Sequence, residues 1–257
     1  MAQSPAMCRP LLALALLLGA GCASAPRPWM RIDSGPPPAT ARLTARPGPV
    51  TTPLAPGLHP LGLSSSGRDG YLYVPERAMK GPVPLLVMLH GAGSSSKNIW
   101  EVVRHEAEDR GLAVLLPDSR DWSWNFKHGD FGPDLQFIDQ ALRFTFASVP
   151  VDPSHVILGG FSAGGIMVLS LGPSNGDLFG WILAFSPVGI DVAGWVGKPK
   201  FFIAHGTLDP VVNIGMSSRA IVPALRNAGA SVVYREFEGP HVVPDFALQE
   251  GLTLALE

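Results

Sequence analysis

The sequence predicts an α/β domain built on a mostly parallel, twisted sheet with helices on both faces and no large lid domain. Three observations predict it. Continuous apolar runs such as 84–90 (Pro-Leu-Leu-Val-Met-Leu-His) read as strands buried on both faces. Between such runs lie stretches with apolar residues at helical spacing, as at Leu135, Ile138, Leu142, Phe146 and Val149. Strand and helix alternate almost throughout, joined by short connections that leave little room for a second domain.

In chain order, the N-terminus comes first. Arg9, a leucine-alanine run over 11–18 and a small-residue end make residues 1–25 a signal peptide, so the protein is expected to be exported to a bacterial periplasm or cell surface, or secreted. Two cleavage sites compete. Ala23-Ser24-Ala25 suits the ordinary signal peptidase, whereas Gly19-Ala20-Gly21-Cys22 resembles a lipobox in which Cys22 becomes the lipidated N-terminus. A lipid there would tether an otherwise soluble protein to a membrane. Cys8 and Cys22 fall in or beside the leader, which leaves no cysteine pair for a disulfide in the remaining chain. Residues 26–63, with Pro36-Pro37-Pro38, Pro47, Pro49, Pro53, Pro56 and Pro60, cannot sustain helix or central strand; they read as a Pro/Ala/Thr-rich tether or an irregular arm.

The ordered domain is expected over 64–257. Strands are predicted at 71–74, 84–90, 112–116, 156–158, 181–187, 200–205 and 231–237. Helices are predicted from about Asn98 to a stop at Gly111, over 133–149, after Ser162, over 217–227 with Pro223 as a kink or late start, and over 245–256. Net charge is −2, so nothing points to a nucleic-acid partner.

The chemistry starts at Gly160-Phe161-Ser162-Ala163-Gly164, a G-x-S-x-G pattern between a predicted strand and a predicted helix. A serine on such a turn is held in a strained backbone, and small neighbours are required because side chains at 160 and 164 would meet the crossing backbone. An activated serine needs a base and an acid that orients it, and an open parallel sheet gathers such groups at the carboxyl ends of strands. Downstream strand ends offer Asp209, in His205-Gly206-Thr207-Leu208-Asp209-Pro210-Val211, and His241, in Glu238-Gly239-Pro240-His241. Asp191 is the second candidate for the acid.

These motifs, with Leu89-His90-Gly91-Ala92-Gly93, resemble the α/β-hydrolases of the compact phospholipase/carboxylesterase type, similar also to dienelactone hydrolases and polyhydroxyalkanoate-depolymerase-like esterases. The resemblance implies Ser162 as nucleophile, His241 as general base and then acid, and Asp209 as orienter of the imidazole. It also implies an oxyanion hole from the N–H groups of Ala92 and Ala163. Trp122 and Trp124 share a strand-end loop with Asp118 and Asp121, where they either wall the substrate pocket or pack. His90 and His205 read as structural residues bonding loop backbone; His105 and His128 read as loop or surface residues, and His59 and His155 offer nothing. No metal-ligand spacing occurs, and no cofactor is expected. The expected function is an exported serine hydrolase cleaving small or polymeric carboxylic esters through an acyl-enzyme. A polyester-depolymerase-like or feruloyl-type esterase, an acyl thioesterase, and a surface-tethered binding protein that kept the fold are the alternatives.

Overall fold

A computed structural model describes residues 30–65, 67–125 and 129–257. Residues 1–29, which hold the expected signal peptide and both cysteines (including the proposed lipidation site Cys22), and His128 lie outside the described residues. The main sheet contains β2 (Gly57–Pro60), β3 (Gly70–Val74), β4 (Val83–Leu89), β5 (Ala113–Pro117), β6 (Val151–Phe161), β7 (Trp181–Phe185), β9 (Lys200–Gly206) and β10 (Val232–Phe237). Its order is β10-β9-β7-β6-β4-β5-β3-β2. The pairs β2·β3 and β3·β5 are antiparallel and all the others parallel. A second, two-stranded parallel sheet joins β1 (Met30–Ile32) to β8 (Ile190–Val192).

Among the described residues, five α-helices cover the two faces. α1 (Ser96–Arg110) and α5 (Asp245–Leu256) place Ile99, Val103, Leu248 and Leu252 against Leu86, Met88, Leu183 and Phe202. On the opposite face, α2 (Gly132–Ser148), α3 (Ala163–Leu171) and α4 (Ser218–Asn227) place Ile138, Leu142, Met167 and Val222 against Leu85, Val87, Leu158 and Ile203. Successive residues of the central strands therefore feed opposite cores, which is why these strands are apolar at every position instead of alternating. Gly111 ends α1 in the left-handed region at φ 66°, its N–H bonding the carbonyls of Ala107 and Glu108. α4 runs through Pro223 without a late start, the proline lying on its exposed side.

The stretch expected as tether or arm differs from expectation at its end. β2 already belongs to the main sheet, so ordered structure starts before residue 64, and the segment ahead of it runs along the domain. Ala41, Leu43 and Ala45 are buried. Asp139 on α2 accepts the N–H groups of Thr44 and Ala45 at 2.7 and 2.8 Å, and Asn175 accepts Leu43 N–H while donating to the Ala41 carbonyl, both at 2.8 Å. Backbone groups that proline-rich chain cannot place in a ladder are satisfied by side chains of the domain instead.

Candidate active site

Ser162 stands between β6 and α3 with φ 56° and ψ −113°, a conformation L-residues rarely adopt. The surroundings hold it there. Its N–H donates to the Phe185 carbonyl at 2.9 Å and its carbonyl accepts Ile166 N–H at 3.2 Å. A Cβ on Gly160 would collide with the Gly164 carbonyl oxygen, and one on Gly164 with the carbonyl of Leu89 at the end of β4. The first turn of α3 thus crosses β4 and β6 at backbone contact, and every residue of α3 is buried. Strain of this kind costs on the order of 1–3 kcal/mol and persists only where packing over-determines it.

The loops after β9 and β10 are zipped together. Thr207 N–H donates to the Phe237 carbonyl at 2.8 Å and Leu208 N–H to that of Gly239 at 3.0 Å, an approach that a side chain at Gly206 would block. This brings Asp209 and His241 into contact: the imidazole Nδ1 lies 2.6 Å from Asp209 Oδ2. Asp209 Oδ1 accepts the N–H groups of Val211 and Val212, each at 2.8 Å. Burial pushes the Asp209 carboxyl upward, but these backbone donors and His241 outweigh it, and its pKa lies below the ordinary carboxylate value. The His241 ring packs on Phe161 with centroids 4.7 Å apart. Ser162, His241, Phe161 and Ala92 line one cavity of about 450 Å³.

Asp191, the second candidate for the acid, lies in β8 opposite Arg31, whereas the imidazole of His241 is bonded to Asp209. Asp118 accepts Ser96 N–H at 2.6 Å at the start of α1, and Asp121 accepts Trp122 N–H at 2.7 Å. His155 bonds Asp152, and His59 the Ala55 carbonyl.

The loop after β4 is fixed from beneath. His90 is buried, with Nδ1 2.7 Å from the Gly91 carbonyl and Nε2 accepting Ser119 N–H at 3.1 Å; burial lowers its pKa. Arg68 bonds the carbonyls of Ser94 and Ser119 at 3.1 and 2.6 Å and so ties this loop to the one after β5. Among the described residues neither Ala92 N–H nor Ala163 N–H has a protein acceptor. The two tryptophans separate. Trp122 lines the cavity and is 69% exposed, its indole lying over Gly93. Trp124 does not reach the cavity; it is buried, packs against the His90 ring at a tilt with centroids 4.9 Å apart, and donates Nε1–H to the His90 carbonyl at 2.8 Å. Trp124 must find a partner for its N–H, and the carbonyl it finds lies inside the fold.

Other parts of the site escape sequence reasoning. Ile99 and Val102 of α1 and Val211 complete the cavity's apolar lining. Buried Asp134 of α2 accepts the N–H groups of Arg120 and Asn125 at 2.6 and 2.7 Å and pins the tryptophan loop; burial raises its pKa. An acid in a helix's first turn looks in sequence like an ordinary dipole partner. Among the described residues no group of three or more His, Cys, Asp or Glu is placed to hold a metal ion.

The sequence model of the phospholipase/carboxylesterase family matches residues 129–249, the span that carries Ser162, Asp209 and His241. Feruloyl esterase B of Thermothelomyces thermophilus is 30% identical over 118 residues, 42% of this chain and 40% of that one. Feruloyl esterase D of Neurospora crassa is 26% identical over 167 residues, 58% of this chain and 55% of its own. The chain thus spans about half or less of the length of these curated relatives. In three dimensions it is similar to the fluorophosphonate-binding serine hydrolase F of Staphylococcus aureus, with a TM-score of 0.64, 16% identity, and coverage of 79% of this chain and 100% of that one. By its sheet order and its likeness to this structure the chain has the α/β-hydrolase fold, and over 129–249 it is similar to the phospholipase/carboxylesterase family.

Proposed function

We propose that this protein is a serine hydrolase that cleaves carboxylic esters through an acyl-enzyme. The observation that carries the reading is the Asp209–His241 hydrogen bond beside a cavity lined by both His241 and the strained Ser162. With Nδ1 engaged by Asp209, the imidazole presents its other nitrogen, Nε2, as the base that removes the Ser162 proton during attack on the ester carbonyl. Charge on the carbonyl oxygen falls to the N–H groups of Ala92 and Ala163, which are fixed before reaction. The imidazolium then protonates the leaving alcohol, and a water activated by the same nitrogen releases the acid.

The apolar lining from Trp122, Phe161, Ile99 and Val102 supports an aromatic or short acyl group, so a feruloyl-type substrate is the second reading. The leader supports export, with Cys22 as a lipid anchor. The function is tested with a fluorophosphonate probe and a panel of acetyl, butyryl and feruloyl esters. Wild type should be labelled and should turn over at least one ester, while Ser162→Ala should lose both. Labelling that survives in Ser162→Ala would remove Ser162 from its role, and a profile flat in the acyl group would discard the aromatic reading.

A further inference from the structure

We propose that His205 is a positioning residue for the candidate catalytic pair, its Nε2–H holding the Asp209 carboxylate in the orientation that serves His241. The proposal rests on the reading of Ser162, His241 and Asp209 given above. His205 lies in β9 with no side-chain exposure, and its Nε2 is 3.1 Å from Asp209 Oδ2, the oxygen that also faces His241 Nδ1. The same Nε2 lies 3.2 Å from the Val212 carbonyl, which its proton bonds, with the carboxylate oxygen a close second acceptor beside it.

The tautomer follows from the other side of the ring. His205 Nδ1 is 2.7 Å from Ser218 Oγ, at the start of α4. A hydroxyl that donates into Nδ1 leaves the single ring proton on Nε2, facing Asp209. Asp209 then faces four N–H groups: Val211 and Val212 bonded to Oδ1, His241 bonded to Oδ2, and His205 3.1 Å from the same Oδ2. A carboxylate has about four lone-pair sites; three are bonded and His205 stands beside the fourth, so the group cannot rotate without losing a bond. A carboxylate so held is also a poor proton acceptor, which keeps the proton on His241 Nδ1 and the catalytic tautomer in place. Burial lowers the His205 pKa, which favours a neutral donor over a second cation beside His241. The charged or titratable groups around it are Asp209, His241, and Glu236 across the β9·β10 pair, itself tied to Arg219 of α4 and to Tyr234.

A core histidine bonded to loop backbone needs only the Val212 carbonyl. The contact with the carboxylate adds a link from α4 through Ser218, His205 and Asp209 to His241, and that link is testable apart from folding. Three variants of the full chain separate the roles: His205→Leu removes the donor, His205→Gln offers an amide at the Nε2 position, and Ser218→Ala releases the tautomer. Active sites are counted with the fluorophosphonate probe, and kcat, KM and the pH profile of kcat/KM are measured per labelled site. Loss of one such hydrogen bond predicts for His205→Leu a fall of about tenfold in kcat with KM nearly constant. Asp209, with one donor fewer, draws the His241 proton more strongly, so the acid limb of kcat/KM should move up by roughly half to one pH unit. His205→Gln should recover most of both effects, and Ser218→Ala should shift both in the same direction by less.

Wild-type kcat per labelled site and an unmoved acid limb in His205→Leu would reduce His205 to packing, even if that variant melts earlier. If His205→Leu does not fold, the same result in Ser218→Ala overturns the proposal. Failure of the underlying reading shows elsewhere, as wild type that the probe does not label or labelling independent of Ser162, and it would overturn both.

Discussion

His90 and His205 are each enclosed completely, and burial lowers the pKa of both. Folded chain therefore holds them neutral where unfolded chain takes up protons, below about pH 6.5. Their contribution to stability is fully present above that value and is lost as pH falls toward their folded pKa values. Each can remove up to about 1.4 kcal/mol per pH unit in that window. Thermal melts should accordingly show Tm dropping between about pH 7 and pH 5, before carboxylates such as Asp209 begin to protonate; a Tm constant across that range would refute the assignment. At this scale the sequence makes the candidates Ser162, Asp209 and His241 legible, because glycine-flanked motifs at strand ends mark backbone that must approach closely. It does not make the His205–Asp209 contact legible. That contact depends on where the loop after β9 folds back, and residue type carries no trace of it. Trp122 and Trp124, two residues apart, look alike in sequence, and only the position of the His90 carbonyl decides which of them is drawn inside.

The strand-turn-helix element formed by β6, Ser162 and α3 depends on contacts between backbones. Replacing Gly164 by alanine drives a methyl group into the carbonyls of Leu89 and His90. The clash should destabilise the protein by about 1–3 kcal/mol and depress ester turnover through displacement of Ser162. Gly180→Ala, where the nearest atom to an added Cβ is the Ser154 carbonyl oxygen at 3.9 Å, is the control and should leave both unchanged. Equal behaviour of the two variants in a melt and an ester assay would contradict this account of the turn. Helices and central strands are legible from their spacing, since long periodic stretches bury one face or two. The short strands are not. β1 and β8 have three residues each and no alternation to detect, and proline-bearing β2 survives at the sheet edge because a proline there costs no ladder bond.

Across the whole molecule, the loops after β4, β5, β6, β9 and β10 all bring residues to one cavity or its support, as an open parallel sheet directs. Fold class was legible in the alternation of elements. The course of residues 33–56 was not, because Asp139 and Asn175 bond its backbone from positions far away in sequence. If export ends in lipidation, Cys22→Ser should move the protein from the membrane fraction to the soluble one, and unchanged fractionation would favour the Ala23-Ser24-Ala25 site. The fastened segment then acquires a mechanical meaning. Seven residues separate Cys22 from Met30, where pairing with β8 begins. Fully stretched, they reach roughly 25 Å, about the width of a small domain. An enzyme so moored would ride close to the bilayer and sweep a shallow zone above it, meeting esters that diffuse along the surface in preference to those in the bulk.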